Sequence, residues 1–234
     1  MTPPLPSPRA ALSLDMDGVL VDVSRSFPVA IERTVAACGG GAVAPGEVGR
    51  LKQAGGFNND WDVSAELLRQ RGRVVERAQV VEVFNRFYLE GPGALILQEQ
   101  WLLPAPLLAA LGARYRLAVF TGRPRADAEY SLKLFGVAHA FAALVAMEDA
   151  PEKPSPEGLR RLQAALAPLP LAAHLGDTID DCLSAAAAGV PFLGICPAGS
   201  ALERRLRAAG ARATFPDVAA AAHALLARAQ SNLL

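Results

Sequence analysis

Asp15-Met16-Asp17-Gly18-Val19-Leu20 follows the apolar run Ala10-Ala11-Leu12-Ser13-Leu14. Alternate residues of an extended strand share a face, so Asp15 and Asp17 can address one site where the strand ends. Gly18 lets the backbone turn in a conformation that other side chains resist. An apolar strand that releases its chain into acids and a glycine fits the ligand-bearing edge of an open α/β sheet. Asp-x-Asp also occurs in ordinary acidic turns, so the stretch needs partners elsewhere in the chain.

Strand–helix alternation supplies them. Residues 116–120, 141–145, 171–175 and 191–195 read as apolar strands, with a weaker one at 211–215. The intervening segments 125–135, 157–166, the stretch after Asp181 up to Ala188, 201–209 and 217–229 carry helical spacing. Strands separated by helices of this length imply parallel pairing with right-handed crossovers. Residues 22–100 differ. Segments 24–38, 46–54, 64–70 and 74–90 read as helices, with Val74, Ala78, Val81, Phe84 and Tyr88 expected as one apolar stripe, and no strand intervenes. The polar glycine stretch Gly55-Gly56-Phe57-Asn58-Asn59-Asp60-Trp61 reads as a loop holding an aromatic. The expected architecture is a Rossmann-like parallel sheet flanked by helices (residues 1–21 and 101–234) with an inserted α-helical module (22–100).

Composition narrows the function class. Of 234 residues, 52% are apolar, enough for a substantial core, and 23 basic residues balance 23 acidic ones. A formal net charge of zero offers no electrostatic case for nucleic acid or an anionic membrane as partner. Cys38, Cys182 and Cys196 are odd in number and widely spaced, which argues against a disulfide framework or a zinc site. A proline-rich start unlike a signal peptide and the lack of a stretch of ~20 apolar residues lead to the expectation of a soluble, cytoplasmic protein.

In a parallel sheet every strand delivers its C-terminal end to the same edge. Asp15 and Asp17, Thr121, and Asp177 with Asp181 would then converge, joined by Lys153 from a loop. The set suits phosphate chemistry. A carboxylate can act as nucleophile and form an aspartyl-phosphate, and a second one two residues on can protonate the leaving oxygen and later take a proton from water. Carboxylates from another strand can hold a hard cation such as Mg²⁺. Thr121 can bond a phosphate oxygen, and Lys153 opposes the negative charge of transfer. The Asp177-x-x-x-Asp181 spacing puts both acids on one side of a helical turn, Asp177 for direct ligation and Asp181 for holding a metal-bound water or Lys153.

Four segments in order, Asp15–Leu20, Phe120-Thr121-Gly122-Arg123, Lys153-Pro154-Ser155-Pro156 and Gly176-Asp177-Thr178-Ile179-Asp180-Asp181, resemble the signature motifs of the haloacid dehalogenase superfamily of hydrolases. The resemblance implies Asp15 as nucleophile, Asp17 as general acid/base, and Mg²⁺ held by Asp15, Asp177 and the backbone carbonyl of Asp17, with Asp181 close by. Residues 22–100 resemble the C1 cap of the phosphoglycolate phosphatase-like subfamily (IA), which implies closure of the cap over the site. Dehalogenases of the superfamily lack the second aspartate, so Asp17 favours phosphate substrates. The function so implied is a Mg²⁺-dependent phosphatase acting on a small phosphorylated metabolite. A phosphomutase of the β-phosphoglucomutase type and a non-catalytic binding protein are the rivals.

Selectivity would rest on other residues. Gly122, Arg123, Arg25, Asn58, Asn59 and Trp61 are the candidate substrate contacts, through backbone approach, anion clamping or amide hydrogen bonds. For the two arginines a surface salt bridge is the equal alternative, and for the Asn58–Trp61 stretch a turn packed over its tryptophan. His139, His174 and His223 read as structural, Cys182 as a buried apolar residue, and Glu148 and Asp149 as a solvated loop. Neither the physiological substrate nor a choice between monomer and homodimer is written in the sequence.

Overall fold

The computed structural model describes residues 8–54 and 59–231. Its contacts divide the chain into two compact units, one running up to Val21 and resuming at Trp101, the other Asp22–Gln100.

The first unit is built on a six-stranded sheet whose every pairing is parallel. In chain order its strands are β1 (Ala11–Leu14), β4 (Arg116–Phe120), β5 (Phe141–Val145), β6 (Leu171–Gly176), β7 (Phe192–Ile195) and β8 (Ala213–Phe215). They lie side by side as β5-β4-β1-β6-β7-β8. β1 therefore sits inside, between β4 and β6, and all four of its residues are buried. Burial on both faces is why its sequence runs apolar without alternation. Helices α5 (Ala105–Arg114) and α10 (Val218–Ser231) pack together, while α7 (Glu157–Ala165), α8 (Ile179–Ala187) and α9 (Ala201–Ala208) form a second row, and α6 (Arg125–Leu134) follows β4. Leu159, Leu162, Cys182, Ala185 and Leu206 from that second row fill a core with Phe120, Val145 and Phe192 from the sheet. Cys182 is thus a core residue.

The second unit is helical, with α1 (Phe27–Val35), α2 (Glu47–Ala54), α3 (Asp60–Gln70) and α4 (Arg77–Leu89). Phe27 and Ile31 of α1 meet Val63 and Leu67 of α3 and Val80, Phe84 and Tyr88 of α4 in one core. The Phe27 and Tyr88 rings stack with centroids 4.8 Å apart. Buried in the same unit, Glu99 accepts hydrogen bonds from Ser26 (2.9 Å) and Tyr88 (3.0 Å). At the edges of this unit the short strands β2 (Val21–Asp22) and β3 (Gln100–Trp101) pair with each other.

Three expectations for the helical unit need correction. Helix α3 begins at Asp60, so Asp60 and Trp61 are helical and not part of a loop. Asn59 caps it, accepting from the Asp62 N–H at 2.8 Å, and Asp60 and Asp62 sit where the helix dipole favours anions. The apolar stripe of α4 is Val80, Phe84 and Tyr88, whereas Val74 lies before the helix and is 94% exposed. The first helix keeps its regular form only through Val35. A wider turn follows, and Gly39 at φ +79° ends it. Residues Gly55–Asn58 lie outside the described residues. Among the described residues, no helix is long and apolar enough to cross a membrane.

Candidate active site

β1 ends at Asp15, whose N–H donates to the Leu175 carbonyl at 2.8 Å and carries the pairing with β6 one residue beyond the strand. The chain then turns tightly. Leu20 and Val21 both donate to the Met16 carbonyl, and Gly18 donates to Val21. Gly18 has φ +72°, and a Cβ there would lie 2.1 Å from Asp177 Oδ2. Only glycine meets both demands, conformation and room. At the end of β6 a Cβ on Gly176 would lie 2.6 Å from the Asp181 side chain. Two missing side chains thus make space for two carboxylates.

Those carboxylates converge with Asp15. Ligand oxygens of Asp15, Asp177 and Asp181 all lie within 4.8 Å of one another. Lys153 enters from the loop before α7 and donates to Asp181 Oδ1 (2.6 Å), Asp15 Oδ1 (2.9 Å) and the Phe120 carbonyl (3.2 Å). Its ammonium also lies 4.6 Å over the Phe120 ring. Burial alone would push Lys153 down, but Asp15 and Asp181 hold it above the usual lysine value.

The three acids differ in character. Burial pushes the Asp15 carboxyl up to about 7, with Lys153 opposing and Asp181 and Asp17 reinforcing. Burial and the neighbouring Asp15 and Asp181 hold Asp177 well above the ordinary carboxylate range. Burial would also raise Asp181, but Lys153 and His174 overcome it and keep the group ionised. Both oxygens of Asp181 are engaged. Oδ1 takes Lys153 and faces His174 Nε2 at 3.4 Å, while Oδ2 accepts from the Thr178 hydroxyl (2.6 Å) and N–H (3.1 Å). Thr178 in turn caps α8 by accepting from the Asp181 N–H, completing a reciprocal capping box.

One lysine cannot neutralise three adjacent carboxylates. Among the described residues, the Asp177 carboxylate has neither hydrogen bond nor ion pair. An oxygen-only donor set with excess negative charge fits a hard divalent cation. Asp177, and the Asp15 oxygen that Lys153 leaves untouched, could accept such an ion, whereas Asp181 is already occupied holding Lys153.

Thr121 is buried at the end of β4 and accepts from the Arg123 N–H at 3.2 Å. Gly122 is exposed, and a Cβ on it would meet open space. Arg123, expected either at the substrate or in a surface salt bridge, turns inward. It is 1% exposed, its Nε and Nη2 each reach Asp17 Oδ1 at 2.5 Å, and Nη1 donates to Ser131 Oγ at 3.0 Å. Glu148 accepts from the Arg125 N–H at 2.9 Å and Asp149 pairs with the Arg125 guanidinium, so this loop is tied down and not simply solvated.

The remaining candidates belong to the helical unit. Arg25 is exposed ahead of α1, Asn59 is the buried cap of α3, and Trp61 is half-buried with the Arg77 guanidinium 5.6 Å from its ring. Asn58 lies outside the described residues. His174, read from the sequence as structural, is buried and links Ser13 (Nδ1 to Oγ, 3.0 Å) to Asp181. The available signal was a polar residue in each of two apolar strands that the topology makes neighbours.

A sequence profile for haloacid dehalogenase-like hydrolases matches residues 10–189, from the start of β1 to the end of α8. The chain belongs to the haloacid dehalogenase-like hydrolase family. Within it, the chain is 33% identical over 203 residues to a plasmid-borne phosphoglycolate phosphatase of Cupriavidus necator, covering 79% of each protein. It is 37% identical over 199 residues to a Phytophthora nicotianae protein named imidazoleglycerol-phosphate dehydratase; that match covers 81% of this chain and 44% of the longer relative. Among solved structures, a haloacid dehalogenase-like hydrolase from Streptococcus pneumoniae superposes with a TM-score of 0.70, at 22% identity over 94% of this chain and 98% of that one. This last likeness shows the haloacid dehalogenase-type fold.

Proposed function

We propose that the chain is a Mg²⁺-dependent phosphatase that hydrolyses a small phosphomonoester by way of an aspartyl-phosphate on Asp15. The observation that carries this reading is Lys153 held between Asp15 and Asp181 at 2.9 and 2.6 Å, with Asp177 open beside them. The phosphatase named among the relatives supports it.

Asp15 attacks phosphorus through a carboxylate oxygen while the bond from phosphorus to the leaving oxygen breaks. The leaving oxygen takes its proton from the Asp17 carboxyl and departs as an alcohol. Water then gives a proton to the Asp17 carboxylate as its oxygen attacks phosphorus. The Asp15–phosphorus bond breaks, releasing inorganic phosphate and restoring Asp15. Lys153 and the Thr121 hydroxyl stabilise the phosphoryl oxygens through both displacements. Bound Mg²⁺, held by Asp15, Asp177 and the Asp17 carbonyl, would neutralise charge so that an anionic nucleophile can approach an anionic phosphate. Residues 22–100 serve as the cap that sets selectivity, with Arg25, Asn58, Asn59 and Trp61 as its candidate contacts.

The test is release of inorganic phosphate from 4-nitrophenyl phosphate with and without Mg²⁺, in wild type and Asp15→Asn. Turnover should need the ion and fall at least ~1,000-fold in the variant, the scale on which removing an essential catalytic group acts. Wild-type-like turnover by Asp15→Asn would exclude Asp15 as nucleophile. For the substrate, the relatives suggest beginning a panel with phosphoglycolate and with imidazoleglycerol phosphate, itself a phosphomonoester. Sugar phosphates belong in the same panel, where an isomerised product without free phosphate would identify a phosphomutase.

A further inference from the structure

We infer that Arg123 is a positioning residue that fixes which oxygen of Asp17 carries the proton to and from the substrate. The inference deepens the proposed function and rests on its reading of Asp17 as acid and base. A fully buried arginine is rare unless it is held on several sides, and this one is. Two of its nitrogens converge on Asp17 Oδ1 at 2.5 Å, and the third is anchored by Ser131 Oγ of α6 at 3.0 Å. The backbone joins the arrangement, since the Arg123 N–H donates to Thr121 Oγ1 and its carbonyl accepts from the Met147 N–H at 2.9 Å.

Asp17 itself keeps 34% of its side chain exposed, so the same carboxyl is clamped on one oxygen and open on the other. Among the described residues Oδ2 has no hydrogen bond. A carboxyl able to turn would present either oxygen. Clamping Oδ1 leaves Oδ2 to carry the proton and removes a rotation that would otherwise have to be frozen as the leaving group departs. Lysine could supply the charge but not the planar grip on Asp17 and Ser131 together.

The signature of such a role is dependence on the leaving group. An oxygen that departs readily as an anion needs no proton, and a basic one does. The test compares kcat/KM, which reports the steps through formation of the aspartyl-phosphate, for 2,4-dinitrophenyl, 4-nitrophenyl and phenyl phosphates with Mg²⁺ saturating. Arg123→Met should lose ~100-fold on phenyl phosphate, within the range of a general acid's contribution, and less than about 5-fold on the dinitrophenyl ester. Arg123→Lys and Ser131→Ala should show the same slope with smaller losses, and they carry the test should Arg123→Met fail to fold. Equal losses across the series, or none, would overturn the positioning role. Asp17→Asn separates this from failure of the underlying reading. If its own losses are uniform, Asp17 is not the proton donor; if they follow the leaving group while those of the Arg123 and Ser131 variants do not, only the inference about Arg123 falls.

Discussion

Asp181 uses both carboxylate oxygens on Lys153, His174 and Thr178, whereas Asp177 stands open beside Gly18. That difference turns on glycine as much as on aspartate, because a side chain at Gly18 would occupy the place of Asp177 Oδ2. Gly18→Ala should therefore do two things at once. A positive φ costs a non-glycine residue about 1–2 kcal/mol, which thermal melting would record as a lower midpoint. Displacement of Asp177 should also raise the Mg²⁺ concentration needed for half-maximal turnover by ~10-fold or more. A lower midpoint with unchanged Mg²⁺ dependence would show that the close approach has no bearing on the ion. At this scale the chain was largely legible, since acids, threonine and lysine at the ends of apolar runs announce themselves. Less legible was who holds whom. Arg123 read equally as a substrate clamp or a surface salt bridge because sequence shows a guanidinium's charge and not its direction, and the His174–Ser13 link needs the strand order to be seen.

Between residues and the whole, helix α7 shows how packing reaches the site. Gly158 lies under the Phe120 ring, with an added Cβ only 2.2 Å from it, and the Phe120 carbonyl is one of the acceptors that seat Lys153. Overpacking of this kind costs typically 1–3 kcal/mol. Gly158→Ala should lower the unfolding midpoint and, by moving Phe120, reduce kcat several-fold, measured with 4-nitrophenyl phosphate; a stability loss with kcat untouched would separate the two effects. Periodicity found the strands of the sheet and most helices to within a few residues. It failed at α3, where an asparagine cap and two early aspartates read as loop composition, and at α4, where Val74 matched the spacing but fell before the helix begins. Both errors lie at helix starts; at α3 the Asn59 side chain caps the helix, whereas Glu76 ahead of α4 makes no side-chain cap hydrogen bond.

Taken whole, the molecule concentrates uncompensated negative charge at one place while its formal net charge is zero. Asp15 has its carboxyl raised to about 7 by burial, against 3.8 ordinarily. A raised acid contributes stability that is full below its unfolded value and is lost as pH climbs through the folded one. Without the ion, the protein should therefore lose stability from about pH 4 to about pH 7, with Asp177 acting in the same direction. Mg²⁺ should reverse that loss, by about 2.7 kcal/mol at a hundredfold excess over Kd. Unfolding midpoints followed across this range, with chelator and with Mg²⁺, should diverge as pH rises; parallel curves would mean that the acids are not gathered around an ion.

Because β1 is an inner strand, its two neighbours are made long after it. His174 of β6 meets Ser13 of β1 across 161 positions of sequence. During synthesis the apolar β1 segment stays unpaired until β4 (Arg116–Phe120) has been made, and its other edge stays open until β6 (Leu171–Gly176) follows. Assembly of the sheet is therefore a late, long-range event, of the kind that proceeds slowly and exposes a chain to aggregation before it closes.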